Sequence, residues 1–504
     1  MLRSRKHLAG LLTLLLAACA APTLEQRPWI AVRSANFEIL TDLSREQAVA
    51  LSEQLELFRA VVKKLTDAKR FEPRVPTRIF AFAEKREYDP FSPSRYVLGY
   101  FRPGLRENTV ALDASGSRGM GATHILLHEY THFLLHNQNQ IVLPLWYDEG
   151  FAEFMSTVQI GPKSVFIGAA PMERKRSARY GKAITTAKMM RARSFRRFTD
   201  PEVGMFYLQA WQAVHYFMLG PGARRGDFGA RLARYVGQVE RGEDEETAFE
   251  ANFGMDFDNL HAELVAYNKL PAIPAVEPPR SLFQPDAGSE VRDVPPAEIA
   301  EQLGWLALGV QRLVLAESYF EQALASDATR SRAQAGLGAA NMLKGRAGQA
   351  EADFTRALGL APDNYENHLD LAASLYALAA QGARPELVPR IREHSQRAIE
   401  LAPAIPEGYA MLGTSYTLTD EDPTAGIAAL ERARALLPGE LDIYLPLAKL
   451  YARAGRKNEA RAAAYRVASW SHGDLSDEAK KLLGELGADD EREADAKGSG
   501  AAAR

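Results

Sequence analysis

The chain has 504 residues, a net charge of −3 and 46% apolar residues. That length accommodates two or three globular domains, and the apolar content is ordinary for a globular protein. The near-neutral balance, with basic residues spread out, excludes a charged stripe for nucleic acid, so no nucleic-acid partner is expected. The first segment is a cationic start, MLRSRKH. It leads into LAGLLTLLLA, an apolar run of about ten residues that is too short to span a bilayer permanently.

Leu16-Ala17-Ala18-Cys19 follows, and it resembles the bacterial lipobox. The resemblance implies a signal peptide over 1–18, removed before Cys19, and acylation of that cysteine. Cys19 is the only cysteine in the chain, so no disulfide can form within it. Two or three acyl chains anchor a protein stably, where a single one is marginal. Ala20 stands where an aspartate would retain such a lipoprotein at the inner membrane. The resemblance therefore implies the periplasmic face of the outer membrane of a Gram-negative bacterium.

Next comes a β-rich stretch. WIAVRSANFEIL, from Trp29, alternates like a strand. SREQAVALSEQLELFRAVVKKL places Leu51, Leu55, Phe58, Val62 and Leu65 on one helical stripe. TRIFAFA reads as another strand, and RYVLGYFRPGLRENTVALD as a hairpin around Pro103-Gly104. After these, HILLHEYTHFLLH carries His124, His128, His132 and His136 at steps of four. On a helix the outermost pair is roughly 120° and 18 Å apart, so one ion cannot collect all four. Only His128 and His132 enclose a glutamate directly after the first histidine. H-E-x-x-H puts two metal ligands on one helical face with Glu129 beside them as a base. His124 and His136 drift off that face and are expected to be packed or solvated; His215 and His368 are likewise assigned to structure.

A catalytic zinc keeps three protein ligands and an open position. Glu149, in LPLWYDEGFAEF, lies sixteen intervening residues beyond His132. With HEYTH and the stretch from Asp148 to Ala152, the chain resembles the gluzincin metallopeptidases, whose second helix supplies a glutamate ligand. The metzincin pattern fails, because Leu135 and Gln138 stand where it needs Gly and His. The resemblance implies zinc on His128, His132 and Glu149. It implies that Glu153, one turn after Glu149, orients a ligand histidine. Tyr207-Leu-Gln-Ala resembles the stretch carrying a transition-state tyrosine in the aminopeptidase branch, although Gln209 replaces its lysine; a plain core helix explains the same residues. The region 28–269 resembles the peptidase-MA-like bacterial proteins, strongly at the two zinc motifs and loosely elsewhere. In that family an extended substrate adds to the edge strand of the cleft.

Seven prolines between Pro271 and Pro296 predict a semi-rigid linker over 270–296. Beyond it the pattern repeats at a 34-residue offset: Ala316 with Ala350, Phe320 with Phe354, Ala323 with Ala357. This resembles tetratricopeptide (TPR) repeats. Five are expected from Ala297 to about Trp470, within a repeat domain over 297–485, with the third lengthened by about seven residues in its inter-helix loop. Their concave groove is expected to take a protein partner or substrate. The polar tail, 486–504, is expected to be disordered.

The expected fold is an α+β gluzincin-like domain followed by an all-α repeat solenoid. The expected function is that of a lipid-anchored zinc peptidase acting on envelope proteins or peptides. His128, His132 and Glu149 would hold Zn2+; Glu129 would move the proton of the attacking water, with Tyr207 at the oxyanion. Two alternatives stand beside it. One is a periplasmic scaffold or chaperone-like protein with little or no proteolysis. The other is an exopeptidase, because Gly104-Leu-Arg-Glu107-Asn108 resembles the G-x-M-E-N stretch that holds a free amine; a hairpin turn explains it equally.

Overall fold

The computed structural model describes residues 23–66, 75–94, 97–115, 121–138, 142–171, 183–285, 288–382, 384–470 and 474–501. Cys19 and its lipobox lie outside the described residues. Among the described residues, no helix is long and apolar enough to cross a membrane.

β1 (Trp29–Arg33) and β2 (Phe37–Thr41) form an antiparallel hairpin. Helix α1 (Arg45–Leu65) opens on a capping box in which Ser44 and Gln47 satisfy each other's backbone amides. β3 (Thr77–Phe82) returns parallel to β2, and β4 (Gly99–Arg102) with β5 (Asn108–Asp113) makes the hairpin expected around Pro103-Gly104. A short ladder, β6 (Gln159–Ile160) with β7 (Val165–Phe166), stands apart. The six-stranded sheet is closed by β8 (Glu290–Val294), in the order β4-β5-β3-β2-β1-β8.

Strand alternation gives this sheet two buried faces. In register across β2, β3 and β5, Ile39, Ile79 and Val110 point to one side, into a core with α1 and the helices that carry the histidines. Leu40, Phe80 and Ala111 point to the other, where they pack with Trp29, Phe82 and Phe91 against the first repeat. Near-continuous apolar strands follow from burial on both faces. α2 (Gly121–Gln138) runs under the edge strand β4, with Phe101 against Tyr130 and Phe133. α3 (Leu145–Ser156) packs on it and α4 (Asp200–Met218) packs on α3, and α5 (Phe228–Glu240), α6 (Glu245–Phe253) and α7 (Phe257–Asn268) complete this half.

The proline-rich segment is not a linker. Val276 and Pro279 bridge to Ile167 and Ser164, Phe283 is buried in the first core, and Glu290–Val294 pairs with β1. The strand sits in the proline-free window between Pro285 and Pro295, at a sheet edge where exposed Glu290, Arg292 and Asp293 are tolerated. Proline density predicts against sheet locally; a paired edge overrides it. Lys269 is therefore no boundary between independent bodies.

Five helix pairs follow: α8/α9 (Pro296–Gly309, Leu313–Ser326), α10/α11 (Ser331–Leu343, Ala347–Leu360), α12/α13 (Tyr365–Gly382, Val388–Leu401), α14/α15 (Pro406–Thr414, Thr424–Leu436) and α16/α17 (Tyr444–Arg453, Lys457–Trp470). The chain thus ends in a helical TPR-like solenoid. Within a pair, large side chains lie on small ones: a Cβ on Gly304 would stand 2.6 Å from the Phe320 ring. The extra residues of the third repeat extend its first helix to Gly382 and add a 3-10 turn at Pro385–Leu387, rather than a plain loop. α18 (Asp474–Ala501) runs on into the segment expected to be disordered, and its first turns dock on α17.

The first helices of successive pairs touch one another and line the inner wall of the solenoid. That wall is filled by the chain itself. Arg106, at the tip of the β4–β5 hairpin, donates to Glu407 at 2.7 and 2.9 Å and to Asp370 at 3.0 Å. Arg78 of β3 donates to Gln302 at 3.0 Å. A cavity of about 460 Å³ remains there, lined by Arg78, Glu107, Trp305, Arg332 and Asp370 among others. The groove expected to receive a partner holds the N-terminal domain's own hairpin.

Candidate metal centre

α2 presents His128 and His132 on one face because its other faces are buried by Leu126, Leu127, Tyr130, Leu134 and Leu135. Tyr130 accepts from Arg59 at 3.1 Å, which fixes the helix against α1. α3 brings Glu149 across. Its approach to α4 is close enough that a Cβ on Gly150 would stand 2.6 Å from the Ala210 carbonyl carbon.

Three atoms converge. His128 Nε2 and His132 Nε2 are 3.2 Å apart, and Glu149 Oε2 is 3.3 Å from each. Ligands at zinc distances on a tetrahedral ion stand roughly 3.3–3.4 Å from one another. The triangle therefore has the edges such an ion requires. Glu149 Oε2 is buried and has no hydrogen-bond partner among the described residues, an arrangement that costs free energy unless a cation sits there. Glu129 is half-buried on the same helix, directly after His128.

The outer histidines lie outside this triangle, and each faces a carboxylate. Asp148 accepts from His132 Nδ1 at 3.0 Å and from His136 Nε2 at 3.0 and 2.9 Å. Glu153, fully buried, faces His128 Nδ1 and His124 Nε2, each at 3.5 Å. Each inner imidazole thus has its second nitrogen against a carboxylate, and each carboxylate has an outer histidine behind it. The contact of Glu153 with His128 is the one the gluzincin resemblance implies. Sequence reasoning misses Asp148 and His136 as site residues; the only signal for them is that Asp148 adjoins Glu149 and His136 continues the four-residue step. His132, His136 and Asp148 also lie close enough to form a second metal-sized group, which shares His132 with the first.

The electrostatics call for positive charge. Burial pushes Asp148 upward, but the imidazoles of His136 and His132 hold it well below the usual carboxylate range. Burial likewise opposes ionisation of Glu149, and His132 and His128 bring it down to about 2. Burial alone would lower His132, yet Asp148 and Glu149 raise it well above its ordinary value. A dication can supply the charge these protons otherwise supply.

Tyr207, on α4, lies with its ring centroid 6.0 Å from that of His128 and 5.4 Å from that of Phe195. Gln209 clamps the main chain of Ile184, donating and accepting at 2.9 Å. Glu107 pairs with Arg78 at 2.9 Å and lines the junction cavity, whose walls include none of the metal-cluster residues. His215 is buried in the core against Tyr267, with which it hydrogen-bonds at 2.7 Å, and His368 bonds His394 at 2.9 Å.

No family model matches the chain and no curated protein matches it. Partial likenesses to solved structures exist. A TPR protein of Thermus thermophilus is 22% identical over 37% of this chain and 98% of its own, with a TM-score of 0.33. Pseudomonas aeruginosa pilF is 17% identical over 39% and 90%, at 0.32. PilW, a type IV pilus biogenesis factor, is 21% identical over 40% and 91%, at 0.33. Each covers two fifths of this chain or less; the solenoid stands on its own helix pairs.

Proposed function

We propose that the chain is a zinc-dependent peptidase of gluzincin type, held to the periplasmic face of the outer membrane through a lipidated Cys19. The observation that carries the reading is the near-equilateral triangle of His128, His132 and Glu149, with Glu129 directly after His128 on the same helix. Zinc in that triangle would supply a Lewis acid and a water acidified toward neutrality. The protein's own groups do the rest. Glu129 takes the proton of the attacking water and delivers it to the leaving nitrogen. Tyr207 offers its hydroxyl to the developing oxyanion. Glu153 and Asp148 fix the ring orientation of His128 and His132. An extended peptide alongside β4, the sheet edge above α2, would present its backbone to this cluster. The exopeptidase form lacks comparable support, since Glu107 is engaged by Arg78.

A second reading, an interaction scaffold with little or no proteolysis, is favoured by the solenoid itself, because stacked helix pairs present large surfaces to partner proteins. One experiment separates them. Full-length protein and Glu129→Gln are compared on an unstructured fluorogenic peptide with zinc present. Cleavage lost in the variant supports the peptidase; equal signal from both, at background, supports the scaffold.

A further inference from the structure

The far end of the solenoid touches the metal centre. Trp470, the last residue of α17, stacks on His136 with ring centroids 4.3 Å apart and an interplanar angle of 14°. The Arg466 guanidinium lies 4.2 Å from the Trp470 centroid. Both cannot share one face of the indole, so it is sandwiched between them. One further bond crosses the same junction: Asn137 Oδ1 accepts from Gly439 N at 2.9 Å. Within the solenoid, Arg466 donates to the Pro438 carbonyl at 3.2 Å. The contact joins a helix of the N-terminal half to the fifth repeat, across 334 residues of sequence (470 − 136).

His136 is not idle under that indole. It donates to Asp148, and Asp148 holds the Nδ1 of His132. A continuous path runs from Trp470 through His136 and Asp148 to His132. The three polar side chains of this path are each at least four-fifths buried, with exposures of 20% for His136, 10% for Asp148 and 16% for His132. If His136 swings away, Asp148 keeps one imidazole donor instead of two, and the ring of His132 loses a fixed support.

We infer that Trp470 is a positioning residue for the metal centre: by clamping His136 it fixes Asp148 and hence the His132 ring. The inference rests on the metal reading above. It makes metal affinity in the N-terminal domain a property of the whole chain. It also assigns the last repeat a task inside the protein rather than toward a partner. Groups behind a metal ligand typically alter metal affinity about 10- to 100-fold. Trp470 acts one step further out, which places its effect at the lower end, about tenfold.

The test uses the full chain, stripped and reloaded. Zinc affinity is read by chelator competition, and the site's symmetry by the visible absorption of the cobalt(II)-loaded form. Trp470→Ala and Trp470→Leu should each weaken zinc about tenfold and change the cobalt spectrum. Trp470→Phe, which keeps an aromatic face, should stay within about threefold of the parent. The double variant His136→Ala/Trp470→Ala should bind zinc no worse than His136→Ala alone, because both act on one path. Trp470→Leu keeps apolar volume, so it carries the test where Trp470→Ala does not fold. Parental affinity and spectrum in Trp470→Leu overturn the inference, as do additive losses in the double variant. Failure of both truncations to fold overturns it too, since Trp470 would then be a folding element. His132→Ala tells the two readings apart: if it keeps zinc, the metal reading fails; if it loses zinc while Trp470→Leu does not, only this inference fails.

Discussion

Arg106→Ala tests how firmly the hairpin holds the solenoid. Arg106 makes three charge-assisted hydrogen bonds, at 2.7 and 2.9 Å to Glu407 and 3.0 Å to Asp370. The three side chains are 16%, 17% and 11% exposed. Deleting one member of a buried pair typically costs about 3–5 kcal/mol, because the remaining charge is stranded. Here the stranding is partial. Asp370 keeps Arg332 as a partner, so Glu407 alone is left uncompensated. That places the loss near the lower end, about 3 kcal/mol. The charge effect is separable from lost contact: Arg106→Ala/Glu407→Gln removes the stranded carboxylate and should recover part of the loss. Urea unfolding followed by far-ultraviolet circular dichroism gives the difference at constant slope. Amide hydrogen exchange at residues 104–107 should rise in the single variant. A loss under about 1 kcal/mol, or a double variant as unstable as the single, would refute the clamp.

Three more outcomes are expected. Gly150→Ala should lower the melting temperature and weaken zinc together, since its Cβ would press 2.6 Å from the Ala210 carbonyl carbon and 2.9 Å from Val214 Cγ2; overpacking of this kind costs about 1–3 kcal/mol, and an unchanged melting curve counts against the tight crossing. Glu440 is raised to about 7 by burial and by the Asp442 charge. The folded state therefore keeps its proton between the ordinary value of 4.5 and about 7, where the unfolded state has released it, so this group's contribution to stability falls as pH rises through that window. Urea midpoints at the two ends should differ less in Glu440→Gln than in the parent; an identical difference rejects the assignment. Cys19→Ala should leave the membrane fraction or stall uncleaved, and a parental mature N-terminus without acyl chains in mass spectra would remove the anchor from the account.

The local signals are legible in the sequence and the long-range ones are not. A 34-residue offset places the solenoid because each helix pair repeats its own small and aromatic contacts, such as Gly304 under Phe320. H-E-x-x-H is legible because helical spacing alone sets much of its geometry, and Glu149, on a second helix, is legible through the resemblance of its stretch to the gluzincins. β8 is not: Pro271 to Pro296 speaks for extended linker, and only the pairing of Glu290–Val294 with β1 overrides it. Nor is the second buried face of the sheet, since strands as apolar as β3 are consistent with any cover; that the cover is the first repeat emerges only in the fold. The groove's occupant is hidden for the same reason. Arg106 looks like a turn residue, and Asp370 and Glu407 look like solvated helix charges, until folding brings them together. His136 reads as a packing residue because its partners are Asp148, on another helix, and Trp470, far along the chain.

The claim on which the rest depends is that His128, His132 and Glu149 hold one zinc ion. Metal content per chain, measured by mass spectrometry on full-length protein and single variants, tests it most directly. One zinc is expected in the parent, in Glu129→Gln and in His124→Ala, and none in His132→Ala or Glu149→Ala. A parent that takes up no zinc, or a His124→Ala that loses it as completely as His132→Ala, would contradict the assignment.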